Sequence, residues 1–203
     1  MKISYAITVC NEFQEIQRLL KVLLTFKRPE DEIVVLFDST NGTEEVQNFL
    51  SSSLKNWNPY PFDGDFSKMK NYLTSLCNGD YIFQIDADEV ITPTMLENLS
   101  SILEVNSNVD VFLVPRINTV EGLTQEHINK WRWRTNEKGW VNFPDWQFRI
   151  YRNNSNIKWK NKVHEVLENY TSISQLPDDE EYCLYHPKTI KRQEKQNAYY
   201  STL

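Results

Sequence analysis

Apolar residues arrive first in unbroken runs and then in spaced stripes. Ile3–Val9, Glu32–Phe37 and Tyr81–Ile85 are continuous stretches of β-forming, mostly apolar residues. Each reads as a strand buried on both faces. Between the first two, Ile16, Leu19, Leu20, Leu23 and Leu24 repeat at helical spacing, which predicts an amphipathic helix over Glu12–Phe26. Asn11 is its candidate cap and Pro29 ends it. A turn of small polar residues, Asp38–Thr43, leads into a helix through Leu50, and Asn56–Tyr60 reads as a short strand. Asp65 or Ser67 caps a helix running to Cys77, with Gly79 past its end. Leu96, Leu99, Ile102 and Leu103 form another helical face, with Thr92 as N-cap and Pro93 at the first helical position. Strand and helix therefore alternate, which implies a parallel sheet covered by helices on both faces.

The second half follows a different pattern. Val109–Val114 reads as a strand, and about Glu121–Asp145 is polar, aromatic and irregular. Phe148–Tyr151 and Lys158–Trp159 look like short strands, and Lys188–Tyr200 like a charged helix. No internal repeat or low-complexity linker interrupts the chain.

Length and composition narrow the class. A chain of 203 residues with 40% hydrophobic and 25% charged positions can bury a real core. The expectation is one domain over 1–203. No apolar stretch approaches a membrane span and the N-terminus lacks a signal-peptide pattern. Cys10, Cys77 and Cys183 are an odd, widely spaced set, which fits reduced core residues in a cytoplasmic protein better than disulfides or zinc. The net charge of −6 argues against non-specific nucleic-acid binding. Lys130, Arg132, Arg134, Lys138, Arg149, Arg152, Lys158, Lys160 and Lys162 nevertheless crowd one stretch, interleaved with Trp131, Trp133, Trp140, Trp146 and Trp159. Such a segment can stack on sugars or bases, or be a packed flap with a solvated outer face.

The chemistry concentrates after the strand Tyr81–Ile85, where Asp86, Asp88 and Glu89 follow at once. A buried strand cannot hold three carboxylates inside, so they emerge at its C-terminal end. In open α/β sheets ligands bind beyond that edge. Crowded carboxylates stay ionised most easily around a divalent cation, and Mg²⁺ or Mn²⁺ prefers oxygen ligands. An Asp-x-Asp in a solvated turn has the same spacing, but here it sits between a strand and a capped helix. Asp86, Asp88 and Glu97 also match the first, third and twelfth positions of a calcium loop. Ile91 occupies the position where that loop requires Gly, so that reading is rejected.

Other strand ends point to the same edge: Thr8–Glu12 after the first strand and Asp38 after the second. With Asp38…Gly42-Thr43, Phe66…Lys70-Asn71 and Asp86–Glu89, the order resembles glycosyltransferase family 2. Phe143-Pro-Asp145-Trp-Gln-Phe-Arg149 followed by Lys162-Val-His164-Glu165 is similar to a segment of its lipopolysaccharide-biosynthesis branch. The resemblance covers roughly Met1 to His186. The turn after the second strand is shortened, with Asn41 where the family has a second acid.

The resemblance implies a GT-A fold, a Rossmann-like three-layer α/β/α sandwich with a mainly parallel sheet and a C-terminal aromatic, basic flap. Residues 1–117 would bind the nucleotide sugar, and 118–203 would form the acceptor side and complete the metal site. The implied activity is metal-dependent transfer of a sugar from a nucleoside-diphosphate sugar to a hydroxyl acceptor, with a UDP-sugar such as UDP-glucose favoured and inversion expected. The acceptor would be a saccharide or glycolipid, with peripheral membrane contact allowed.

Asp88 would be the first metal ligand for Mn²⁺ or Mg²⁺, with Asp86 on the ribose or metal and His164 the second ligand from the flap; His186 is the weaker imidazole candidate. Thr8, Asn11, Glu12, Asp38 and Lys70 would line the donor. Asp145 is the candidate general base, because an Asp between Pro144 and Trp146 would be partly desolvated and gain proton affinity. Glu165 is its rival. The alternatives are a sugar nucleotidyltransferase and a non-catalytic carbohydrate-binding module. The first lacks its Gly-rich basic loop at Thr8–Glu12, and the second gives the acid-bearing strand ends no role.

Overall fold

The computed structural model describes residues 1–200, with side chains through residue 198. Its elements run β1 (Ile3–Val9), α1 (Phe13–Phe26), β2 (Glu32–Asp38), α2 (Glu44–Ser53), β3 (Trp57–Tyr60), α3 (Phe66–Ser75), β4 (Tyr81–Asp86) and α4 (Pro93–Val105). The second half continues with β5 (Val111–Glu121), α5 (Gln125–Trp131), β6 (Val141–Arg152), β7 (Lys158–Lys160), β8 (Val166–Glu168), β9 (Ile173–Gln175), β10 (Leu184–Thr189) and α6 (Ile190–Tyr200).

An eight-stranded sheet runs in the order β10-β5-β6-β4-β1-β2-β3, with β9 also paired to β5. The strands from β3 to β4 are mutually parallel, as the alternating pattern predicts. β6 runs antiparallel to both β4 and β5, and β10 returns parallel to β5. The C-terminal ends of β1, β2, β4, β5 and β10 therefore share one edge with the N-terminal start of β6. β7 and β8 form a separate hairpin.

Two apolar layers sandwich this sheet. Buried residues of α1, α2 and α4, such as Leu20, Leu50 and Leu99, join one core cluster. Met69 and Leu73 of α3 pack with Leu36, Ile82, Tyr151 and Trp159 in the other. This is the three-layer α/β/α arrangement. Among the described residues, no helix is long and apolar enough to cross a membrane.

Local signals hold in detail. The Thr92 hydroxyl accepts from the Met95 N–H at 3.1 Å, and Asp65 caps α3 by accepting from Lys68 N–H at 3.2 Å. Two local expectations fail. Leu24 is 54% exposed rather than buried, because it lies at the margin of a stripe centred on Ile16, Leu19, Leu20 and Leu23. Asn11 does not cap α1; the N-cap position is Glu12, and no side chain caps there.

The larger difference is in the second half. β5 extends to Glu121 and β6 begins at Val141, so both run well past their apolar cores. Their antiparallel ladder supplies partners where side-chain pattern alone does not mark a strand. The segment read as irregular also contains the short helix α5, capped by Thr124.

Candidate active site

β4 stops at Asp86 because three carboxylates follow its apolar run. Asp86 accepts from Thr8 Oγ1 at 3.3 Å and from Arg149 Nη2 at 2.6 Å. Glu89, 1% exposed, turns back under the strand end and accepts from Arg149 Nη2 at 2.7 Å and Arg116 Nη1 at 3.2 Å. Arg149 is itself only 3% exposed. A buried cation is tolerated there because it meets the buried Glu89 carboxylate and the half-buried Asp86 carboxylate at hydrogen-bond range. Burial alone would push the Asp86 pKa up; the charges of Arg149, Lys70, Arg116 and His186 overcome it and hold the carboxyl well below its usual range. The Gln84 side chain and Arg149 Nε are buried beside this cluster without hydrogen-bond partners among the described residues.

Asp88 lies one alternation further along. His186 Nε2 stands 3.2 Å from its Oδ2, and Arg192 Nη2 of α6 approaches the same oxygen at 3.2 Å. Burial again opposes ionisation, but His186 and Arg192 bring the Asp88 pKa down to about 2. Arg192 also reaches Glu12 at 3.2 Å and Glu15 at 2.7 Å, tying α6 to the start of α1.

The imidazole beside Asp88 is thus His186, the candidate that sequence reasoning ranked lower. His164 is exposed, with a left-handed φ of 55°, in the connection between β7 and β8. Its sequence neighbour Glu165 points elsewhere, 3.6 Å from Lys70 Nζ. Among the described residues, no group of three His, Cys, Asp or Glu side chains is placed to hold a metal, so Asp86, Asp88 and His164 do not close on one point. Asp88 and His186 still form a two-donor pair of carboxylate oxygen and imidazole nitrogen. That suits Mn²⁺ or Mg²⁺, which keep waters and substrate phosphates as their remaining ligands. The signal for His186 was its place in a strand before Pro187, which carries no chemistry until β10 pairs with β5.

Asp145 occupies the start of β6, opposite Arg116 of β5. Its Oδ2 accepts from Arg116 Nε and Nη2 at 2.9 and 2.8 Å and from Asn118 Nδ2 at 2.8 Å. Its Oδ1 accepts from Gln147 Nε2 at 2.7 Å. The expected gain in proton affinity is reversed. Burial raises the pKa, but Arg116, Asn118 and Gln147 together bring it below the ordinary value. Arg116 and Asn118 were missed because neither belongs to a recognisable motif.

The donor-side candidates sit at the ends of β1 and β2 and on α3. Glu12 accepts from the Cys10 and Asn11 N–H groups at 2.8 and 3.1 Å, and burial raises its pKa. Asp38, 5% exposed, accepts from the Thr40 and Asn41 N–H groups at 2.8 and 3.0 Å, so it closes its own turn. Gly42 completes that turn; a Cβ there would lie 2.3 Å from the Asp38 carbonyl oxygen and the Phe37 ring. Lys70, 6% exposed, lies 4.8 Å from the Trp159 ring centroid and faces Glu165.

Comparison with known proteins follows the same outline. The family model "Glycosyl transferase family 2" matches residues 4–174. Among solved structures, S. aureus TarS 1-349 in complex with UDP-GlcNAc is 20% identical with a TM-score of 0.63, covering 93% of this chain and 59% of that one. A second structure of S. aureus TarS 1-349 is 19% identical with a TM-score of 0.60, covering 92% and 60%. The longer S. aureus TarS structure gives 19% identity and a TM-score of 0.62 over 92% of this chain and 37% of that one. At this identity the likeness concerns the fold. The chain spans about three fifths of the length of the TarS 1-349 chains it matches.

Proposed function

The chain belongs to glycosyl transferase family 2, and from that premise we propose that it transfers a sugar from a nucleoside-diphosphate sugar to an acceptor hydroxyl. The observation that carries the reading is the meeting of Asp88 with His186, 3.2 Å apart, in hydrogen-bonded continuity with Asp145 through Asn118. Leaving-group and acceptor chemistry would then sit side by side at the carboxyl edge of the sheet.

Asp88 and His186 would hold Mn²⁺ or Mg²⁺. When bound, the cation neutralises charge on the departing diphosphate. Asp86, fixed by Arg149 and Thr8, orients the strand end and faces the ribose side. Thr8, Asn11, Glu12, Asp38 and Lys70 would bound the nucleotide, which holds the anomeric carbon in line. Asp145 takes the proton of the acceptor hydroxyl. Its low proton affinity keeps it ionised at neutral pH, so it accepts that proton only as the new bond to the anomeric carbon forms. Direct attack of this kind inverts the anomeric centre. Glu165 is the rival base, held against Lys70 instead.

The donor half spans 1–117 and the acceptor half 118–203, in one catalytic domain. A UDP-sugar is favoured, with UDP-glucose and UDP-GlcNAc as first candidates; UDP-GlcNAc is the ligand named for the TarS complex. The acceptor class is a saccharide or glycolipid hydroxyl, reached in the cytoplasm or at a membrane surface. The test is a panel of nucleotide sugars with Mn²⁺ or Mg²⁺, scored for nucleotide release. Release with a UDP-sugar that stops in chelator supports the reading. Turnover of a sugar 1-phosphate with a nucleoside triphosphate instead would make the protein a nucleotidyltransferase, and silence in both would favour a binding module.

A further inference from the structure

β10 pairs with β5 so that His186 lies directly beside Asn118. β5 in turn pairs with β6 so that Asp145 lies opposite Arg116, two residues from Asn118 on the same side of the strand. Asn118 therefore stands between the imidazole and the carboxylate. Its Nδ2 is 2.8 Å from Asp145 Oδ2, and its Oδ1 is 2.8 Å from His186 Nδ1.

The direction of this chain is fixed by what each group can do. An ionised carboxylate only accepts, so the amide NH₂ faces Asp145. The amide oxygen is then left toward His186. That oxygen also only accepts, so Nδ1 must carry the proton. The opposite nitrogen, Nε2, lies 3.2 Å from Asp88 Oδ2; that carboxylate also only accepts, so a proton-free Nε2 is matched there only when a cation is bound beside both. Asp145 stays ionised because Arg116 and Gln147 also donate to it, so the orientation of Asn118 does not depend on Asn118 alone.

We propose that Asn118 is a positioning residue: by accepting from His186 Nδ1–H it leaves Nε2 for a divalent cation held with Asp88, and it ties that imidazole to Asp145. The cation part rests on the function proposed above. Groups that hold the far nitrogen of a metal-binding imidazole commonly govern metal affinity by about 10–100-fold.

The experiment has two arms. In the first, ¹⁵N-histidine-labelled protein is studied by long-range ¹H–¹⁵N correlation with UDP and diamagnetic Mg²⁺ added. The chain has three histidines, and the His186 signals are identified by their absence in His186→Gln. The expected result is a proton on Nδ1 in the wild type, protected from exchange with water, and a faster-exchanging Nδ1 proton in Asn118→Ala. A Mg²⁺-loaded wild type in which His186 carries its proton on Nε2 overturns the proposal.

In the second arm, Mn²⁺ binding in the presence of UDP is followed by the electron paramagnetic resonance of free Mn²⁺. Asn118→Ala should weaken it about tenfold or more while unfolding cooperatively near the wild-type temperature. Unchanged affinity in a folded Asn118→Ala protein overturns the proposed link to the cation. Absence of Mn²⁺ binding in the wild type would overturn the metal-dependent function and the proposal with it, whereas wild-type binding that Asn118→Ala leaves unchanged overturns the role of Asn118 alone.

Discussion

Along β1, β2 and β4 charge begins where the apolar run stops, whereas along β5, β6 and β10 it is threaded through the strand. Thr8–Glu12, Asp38 and Asp86–Glu89 all follow continuous buried runs. Arg116 and Asn118, Asp145 and Gln147, and His186 and Lys188 instead occupy alternate positions inside strands, and Arg149 sits where the register of β6 shifts against β5. The first arrangement collects acids at an edge. The second supplies a polar face of cations and amides that answers them. Arg149 meets Asp86 and Glu89, and His186 meets Asp88. Buried charge in either region is tolerated because the other is folded against it.

The most severe break in this pairing is Asp88→Ala. It removes the first-half carboxylate that faces His186 while leaving β4 intact. Nucleotide release from a UDP-sugar, measured well below the variant's unfolding temperature, should fall by about 10³-fold, the upper scale for losing one charge-stabilising group. Full activity in the variant would separate Asp88 from the chemistry.

Arg149→Met should break the stability side instead. It leaves the buried Glu89 and the half-buried Asp86 without their shared cation, at a cost of about 3 kcal/mol, read from denaturant unfolding at neutral pH. Acid sharpens the same point. The pKa values of Asp86, Asp88 and Asp145 are depressed in the folded protein. Their stabilisation is therefore complete above the ordinary carboxylate value of 3.8 and is lost as pH falls toward about 2, the folded value for Asp88. Unfolding midpoints measured from pH 5 to pH 2 should drop in the wild type. The drop should be shallower in Arg149→Met, because Asp86 loses its main cationic partner.

Asp145→Asn asks whether the second half contributes chemistry as well as charge balance. Turnover should fall by about a hundredfold or more, with UDP and Mn²⁺ binding preserved. Near-normal turnover there, together with a dead Glu165→Gln, would transfer the base to Glu165. The smallest effect concerns the segment from Glu121 to Val141. Its Trp131 and Trp133 rings pack at a tilt of 48°, and Lys138 pairs with Glu180 outside the sheet. Amide exchange in this segment should slow severalfold when UDP and Mn²⁺ are added, as expected of a lid; equal exchange in both states would make it a fixed wall.

The same contrast governs how much could be read from the chain. β1 through α4 are legible because unbroken apolar runs and capped helical stripes each have a local signature, and Thr92 and Asp65 cap as their positions suggest. The acid edge is legible because a strand buried on both faces can release consecutive carboxylates only at its end. His186, Asn118 and Arg116 are not, because their meaning comes from strand pairing across 98, 68 and 29 residues of sequence. The proton affinity of Asp145 was misjudged for the same reason: burial is visible in its neighbours, but the Arg116 that reverses it is not.

The pairing of β10 with β5 also sets a schedule. Asp88 leaves the ribosome long before His186, and Arg192 follows later still. During synthesis the parallel β3-β2-β1-β4 unit can form with its acid edge incomplete, and neither the imidazole nor the guanidinium that answers Asp88 is yet present. A nascent chain halted before Leu184 would thus carry the carboxylates without the partners that complete the pair, so competence should switch on late in translation. A protease would meet the same dependence in reverse. A cut in the exposed stretch 177–181 would leave the larger fragment with nearly all of its sheet and sever the covalent link that keeps His186 at the site.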